Sequence, residues 1–215
     1  MDKQAQNSYS SQTAELLLKL KAIKLSPNDP FTWASGLKSP IYCDNRVLLS
    51  DPNSRDIIAN YFAEIIRQKY KSAEVIAGVA TGAIGIGILV AQKLNLPFIY
   101  VRPEAKKHGR KNQIEGKILE NQKIVVIEDL ISTGKSSLNA VEALQKNGVD
   151  VLGVFAIFSY DLEIAKINFE KANQKFYSLS DFSALIECSK KYTGFSNGDL
   201  DRVNSWKKNH ANWIV

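Results

Sequence analysis

The run Val125-Val126-Ile127-Glu128-Asp129-Leu130-Ile131-Ser132-Thr133-Gly134-Lys135-Ser136-Ser137 combines, within thirteen residues, groups that could hold a sugar phosphate. An apolar strand pattern ends in two adjacent carboxylates, a hydroxyl- and glycine-bearing turn follows, and a helical pattern then begins. A turn entering a helix presents unpaired N–H groups and the positive end of the helix dipole, which suits a phosphate. Ser132, Thr133 and Ser136 add hydroxyl donors, and Gly134 lets the backbone approach an anion closely. Glu128 and Asp129 cannot serve that anion, but they can accept from the vicinal hydroxyls of a sugar or face a divalent cation. The plainer explanation is an acidic strand end followed by an ordinary capped helix. A nucleotide-binding P-loop is excluded, because G-x-x-x-x-G-K-[ST] requires glycine at position 129, where Asp stands.

Two further segments carry groups of the same kind. Gly78-Val79-Ala80-Thr81-Gly82 follows a strand pattern and precedes an apolar helix. It lacks the G-x-G-x-x-G spacing of dinucleotide binding, and its glycines serve either tight helix–sheet packing or backbone donation to a phosphate. Residues 101–113 hold five Lys or Arg (Arg102, Lys106, Lys107, Arg110, Lys111) and His108. So polar a stretch cannot enter a core, and it reads as a solvated loop. Placed over a phosphate site, the same cations would stabilise negative charge that grows on a leaving group, and a closed lid would exclude water. His108 could give a proton to a leaving oxygen near neutral pH. The other histidine, His210, reads as an uninvolved residue near the chain end.

The elements that must position these groups follow from periodicity. A helix is expected over 14–23 after an unstructured tail over 1–13. A short hairpin is expected around Ser35-Gly36, and a helix from Asp51-Pro52 to about Tyr70. Strands are expected over 74–80, 97–102, 123–128, 149–159 and 175–180. Helices are expected over 84–94, 135–146, 162–172, 181–190 and 197–209. Short apolar strands alternating with amphipathic helices make an α/β fold with a parallel sheet covered on both faces, and its ligands bind beyond the carboxyl ends of the strands.

At 215 residues the chain makes one domain, with an N-terminal part over about 14–48, a core over about 50–190 and a helical extension over about 191–215. With 45% hydrophobic and 23% charged residues, it is neither disordered nor a multi-span membrane protein. The uncharged run 75–91 approaches the length of a membrane span, but its glycines fit strand, loop and buried helix better. A net charge of +6 favours an anionic small molecule over nucleic acid. Cys43 and Cys188 form no metal-binding or disulfide pattern, and no signal-peptide pattern is read in the first residues, so a reducing cytoplasm is expected.

The run ending in Glu128-Asp129 and Ser132-Thr133-Gly134 closely resembles the signature of type I phosphoribosyltransferases, which bind phosphoribosyl pyrophosphate (PRPP). Arg102-x-x-x-Lys106-x-His108-Gly109 with Asn112-Gln113-Ile114-Glu115-Gly116 resembles the catalytic loop of the orotate phosphoribosyltransferase family. Phe31-Thr32-Trp33-x-Ser35-Gly36-x-x-Ser39-Pro40-x-Tyr42 with Asp44-Asn45-Arg46 resembles that family's hood over the base. The resemblance implies the type I fold and the transfer of the 5-phosphoribosyl group from PRPP to orotate, giving orotidine 5′-monophosphate and pyrophosphate in pyrimidine synthesis. It implies Mg²⁺ carried mainly by PRPP, with no metal-ligand set of the protein's own and Asp129 able to reach the ion through water. It also implies a homodimer that shares the catalytic loop in trans.

By position, Glu128 and Asp129 would hold the ribose hydroxyls, and Leu130, Ile131, Ser132, Thr133, Gly134, Lys135 and Ser136 would wrap the 5′-phosphate. Thr81, Gly82, Arg102, Lys106 and His108 would face the pyrophosphate, the last three as the catalytic set. Ser132 would touch orotate. The sequence departs from the family at Pro103, at Lys107, at Ala34 where a lysine is common, and at Ser159-Tyr160-Asp161 where an arginine is expected. Its glycine loop reads Thr-Gly-Ala rather than Thr-Ala-Gly. Lys38 and Arg46 are the cations expected to replace the missing ones against the orotate carboxylate. Two alternatives stay open: a phosphoribosyltransferase for another base, and a non-catalytic PRPP- or nucleotide-sensing regulator that binds RNA.

Overall fold

The computed structural model describes residues 3–33 (backbone alone for 3–6), 36–104, 113–210 and 213. The N-terminal part comprises helix α1 (Lys3–Lys19), strands β1 (Ile23–Leu25), β2 (Phe31–Thr32), β3 (Lys38–Ser39) and β4 (Ile41–Cys43), and a 3-10 turn (Asn45–Ser50). Helix α2 (Pro52–Lys69), β5 (Val75–Val79), α3 (Ile84–Leu94), β6 (Phe98–Val101) and β7 (Ile114–Glu115) come next. The chain continues through β8 (Lys123–Ile131), α4 (Lys135–Gln145), β9 (Asp150–Ser159), α5 (Glu163–Lys171), β10 (Phe176–Asp181), α6 (Phe182–Tyr192) and α7 (Asn197–Lys208).

Six strands form one sheet in the order β10-β9-β8-β5-β6-β7, parallel throughout except for the antiparallel edge strand β7. Successive strand residues face opposite sides. Val75, Ala77, Ile124 and Val126 accordingly join one core with α4 and α5, while Ile76, Val125 and Ile127 join another with α1, α2, α3, α6 and α7. Both faces are thus covered, as the uninterrupted apolar strands require. The uncharged run 75–91 is β5, a turn and most of α3, and among the described residues no helix is long and apolar enough to cross a membrane.

The N-terminal part differs most from expectation. Helix α1 begins at Lys3, inside the stretch 1–13 read as an unstructured tail. Its polar composition hides a working contact face: Thr13, Ala14 and Leu17 are fully buried, and Tyr9 stacks on Tyr61 of α2 at 4.3 Å. The helix stops at Lys19 rather than continuing to Ile23, because Lys21 takes a left-handed φ of 56° and Ile23 starts β1. The hairpin at Gly36 is present, pairing Phe31 with Ser39 and Thr32 with Lys38; Ser35 lies outside the described residues. Asp51 caps α2 by accepting from Ser54 N at 2.8 Å.

Candidate active site

The site lies where strand order reverses. From β5 the chain winds one way to β6 and β7, then returns to the other side of β5 for β8, β9 and β10. The carboxyl ends of β5 and β8 therefore flank a crevice, and the loops expected to bind ligand enter it together. Pairing of Gly78 with Ile127 sets their relative height. It brings Gly82 so close to Asp129 that a methyl group at position 82 would fall inside the Asp129 carboxylate. Helices α2, α6 and α7 begin with side-chain caps, from Asp51, Asp181 and Ser196; α3 and α4, which open onto this crevice, begin without one, as does α5.

Strand β8 runs on to Ile131, past the expected end at 128, because β9 keeps pairing with it up to Ile131 opposite Ser159. Glu128 is consequently interior, with 3% of its surface exposed. Its Oε2 accepts from Ser136 Oγ at 3.0 Å and Ser137 Oγ at 2.9 Å, and its Oε1 accepts from Asp129 N at 3.0 Å. Burial, then the neighbouring Asp129 carboxylate, push the Glu128 pKa up to about 8 against the pull of the Ser137 hydroxyl.

The turn itself is held from outside. Gly134 has a φ of +79°, and a Cβ there would meet Phe169 at 2.6 Å, so glycine is required on both counts. Asn168 Nδ2 donates to the Thr133 carbonyl at 2.9 Å, and Asn45 Nδ2 donates to the Asp129 carbonyl at 2.6 Å.

Two clefts adjoin the turn. One, of about 280 Å³, is lined by Thr32, Trp33, Tyr42, Cys43, Leu130, Ser132 and Tyr160. Its aromatic walls and small number of polar groups suit a flat, partly polar ring. Lys38 stands beside it, donating to Thr32 Oγ1 at 2.8 Å, whereas both oxygens of Asp44 engage Arg46, at 2.6 and 2.9 Å. The second cleft, of about 230 Å³, lies between Ala80 and the start of α4 and includes Arg102, Gln113, Lys135 and Ser136. Its two cations suit a second anionic group.

The two ends of the basic segment adjoin an antiparallel pair, β6 with β7, an edge strand that the sequence had not suggested. Arg102 N donates to the Gln113 carbonyl at 2.9 Å and Gln113 Nε2 donates to the Arg102 carbonyl at 2.7 Å, which closes the base of the loop. Lys106 and His108 lie outside the described residues. Thr81 is exposed at the glycine turn, whose Ala80–Thr81 peptide is cis. Sequence reasoning passed over Asn45, Cys43, Ser137, Tyr160 and Asn168. Ser137 could have been found, since the hydroxyl one residue past the turn faces back along the helix to the strand end. Asn45 and Tyr160 stand in segments compared with the family's pattern, but their roles here, like those of Cys43 and Asn168, depend on contacts with distant segments. Among the described residues no group of three or more His, Cys, Asp or Glu is placed to hold a metal ion.

A crevice at the switch point, acids at a strand end and an uncapped helix start suit a sugar phosphate, and the family match is of that class: the phosphoribosyl transferase domain, over residues 45–178. An orotate phosphoribosyltransferase of Streptococcus pyogenes is 50% identical over 204 residues, covering 95% of this chain and 98% of its own. One from Cytophaga hutchinsonii is 48% identical over 205 residues, with the same coverage. The crystal structure of orotate phosphoribosyltransferase from Aeropyrum pernix superposes with a TM-score of 0.73 at 29% identity, covering 83% of this chain and 98% of that one. The chain belongs to the orotate phosphoribosyltransferase family.

Because folding raises the Glu128 pKa from 4.5 to about 8, the unfolded chain loses that proton first as pH rises. Stability from this group is complete below pH 4.5 and is lost progressively up to about pH 8. Glu128→Gln should therefore gain stability relative to the parent as pH rises through that window, measured by urea unfolding at its two ends. A constant difference between the two proteins would contradict the assignment.

Proposed function

We propose that this chain transfers the 5-phosphoribosyl group from PRPP to orotate, releasing pyrophosphate and forming orotidine 5′-monophosphate in pyrimidine synthesis. The observation that carries the reading is Ser132, which belongs to the phosphate turn and also lines the aromatic cleft, so one loop borders both a sugar phosphate and a base.

The amides at the start of α4 and the hydroxyl of Thr133 bind the 5′-phosphate. Asp129 accepts from the ribose hydroxyls, while Glu128 braces the turn through Ser136 and Ser137. The base packs against the wall that Trp33 and Tyr160 form together, its ring nitrogen directed at the ribose carbon beyond Leu130. As the bond from that carbon to pyrophosphate lengthens, the ribose gains positive character and the leaving group negative charge. Arg102, with Lys106 and His108 from the lid, meets that growing charge, so these groups bind the transition state more tightly than the ground state. Thr81 and Gly82 add backbone donors on the same side. Lys38, at the cleft rim, is the cation that faces the orotate carboxylate, with Arg46 held in reserve by Asp44.

The residues present fit a Mg²⁺ ion that arrives with PRPP, and Asp129 would meet such an ion through water. When bound, Mg²⁺ supplies charge neutralisation at the pyrophosphate. The protein works in the cytoplasm as a homodimer, each lid reaching the partner's site.

Incubation of the protein with PRPP, Mg²⁺ and a panel of bases should consume orotate, followed by its absorbance; turnover with uracil or a purine but not orotate would reassign the base. Gly82→Ala, which displaces the Asp129 carboxylate, should raise the KM for PRPP about tenfold with the fold intact by circular dichroism. Mixing Lys106→Ala with Asp129→Ala protein should restore part of the activity that each lacks, and no recovery would sink the shared lid.

A further inference from the structure

Helix α7 lines neither cleft, yet it touches two lining residues of the aromatic one. Trp206 is the largest fully buried side chain among the described residues, with 1% exposed. Its ring lies 5.6 Å from Trp33 and 5.6 Å from Tyr160, edge-on to both, while Trp33 and Tyr160 lie 5.4 Å apart. Phe182 closes the far side at 6.0 Å. Trp33 comes from the N-terminal hairpin, where its Nε1 donates to the Ile41 carbonyl at 3.1 Å. Tyr160 follows β9 in the core.

The same helix is fastened to both parts at its ends. Near its start, Asp199 accepts from Asn28 Nδ2 at 3.0 Å and Arg202 donates to Asn28 Oδ1 at 2.8 Å, in the connection between β1 and β2. Near its end, Lys207 Nζ donates to Asp161 Oδ2 at 2.7 Å, directly after Tyr160. Lys166 holds the other oxygen of Asp161 at 3.0 Å. Buried edge-to-face ring contacts fix distance as well as adding apolar burial.

We propose that α7 is a positioning element for the base, with Trp206 and Lys207 holding Trp33 and Tyr160 together as one aromatic wall against which a pyrimidine ring packs. The proposal rests on the orotate reading. A wall that drifts weakens the grip on the ring and leaves the ribose phosphate and pyrophosphate contacts alone. Its signature is a loss confined to one substrate, which a general loss of structure would not produce.

The test is steady-state kinetics on the full chain, varying orotate and PRPP separately, for Trp206→Leu, Trp206→Phe and Lys207→Met. Trp206→Leu should raise the KM for orotate about tenfold and leave that for PRPP within about twofold. Trp206→Phe, which restores a ring, should recover most of the loss, and Lys207→Met should shift the orotate KM in the same direction by less. Should Trp206→Leu fail to fold, Lys207→Met, whose partner is half-buried, decides the matter by itself. An unchanged orotate KM in the folded variants, or an equal rise for both substrates, overturns the proposal. Failure of the parent protein to use orotate overturns the base assignment instead. The same comparison, made with the base the panel selects, then supports or overturns the role of α7.

Discussion

A turn that offers bare backbone amides to an anion must be held in shape by something other than those amides. In this protein the restraint comes from three directions. Glu128 grips the start of α4 through Ser136 and Ser137, Asn168 holds the Thr133 carbonyl, and Asn45 holds the Asp129 carbonyl. Phe169 fills the space against Gly134, where any side chain would be refused. Free donors cost little when a ligand or water satisfies them, but a sagging turn would lose the convergence that makes them a site. Burying Glu128 is part of that design: the carboxyl is kept neutral more easily, and a neutral group is cheaper to keep in the core.

The cleft beside the turn extends the same logic across the fold. The N-terminal hairpin and the residues after β9 meet to line it, with Trp33 against Tyr160 at 5.4 Å. Register decides where they meet, since Leu130 pairs with Phe158 and Ile131 with Ser159, which puts Tyr160 level with Ser132. Hydrogen bonding of Tyr160 N to the Ile131 carbonyl, at 3.0 Å, locks that level in place.

Much of this was legible from local pattern. The strands and helices from residue 75 onward repeat the alternation of short apolar and amphipathic segments, and the observed bounds lie within a few residues of those expected. The acids and hydroxyls at 128–136 were legible because their chemistry depends on neighbours in sequence. The long α1, the extension of β8 and the edge strand β7 were not, because tertiary pairing decides them: Tyr61 makes a contact face of a polar helix, and β9 and β6 draw out their partners. The bracing roles of Asn45 and Asn168 were not legible, since each bonds a carbonyl far away in the chain. For Lys106 and His108 the sequence remains the ground of assignment.

The hydrogen bond from Asn45 to the Asp129 carbonyl joins residues 84 apart. On the ribosome the hood emerges first, and the turn it steadies is made much later. Until that long loop closes, a nascent chain has an acidic strand end and a glycine turn but no settled receptor. The shape of the turn thus waits on contacts between distant parts of the chain rather than on its own local sequence.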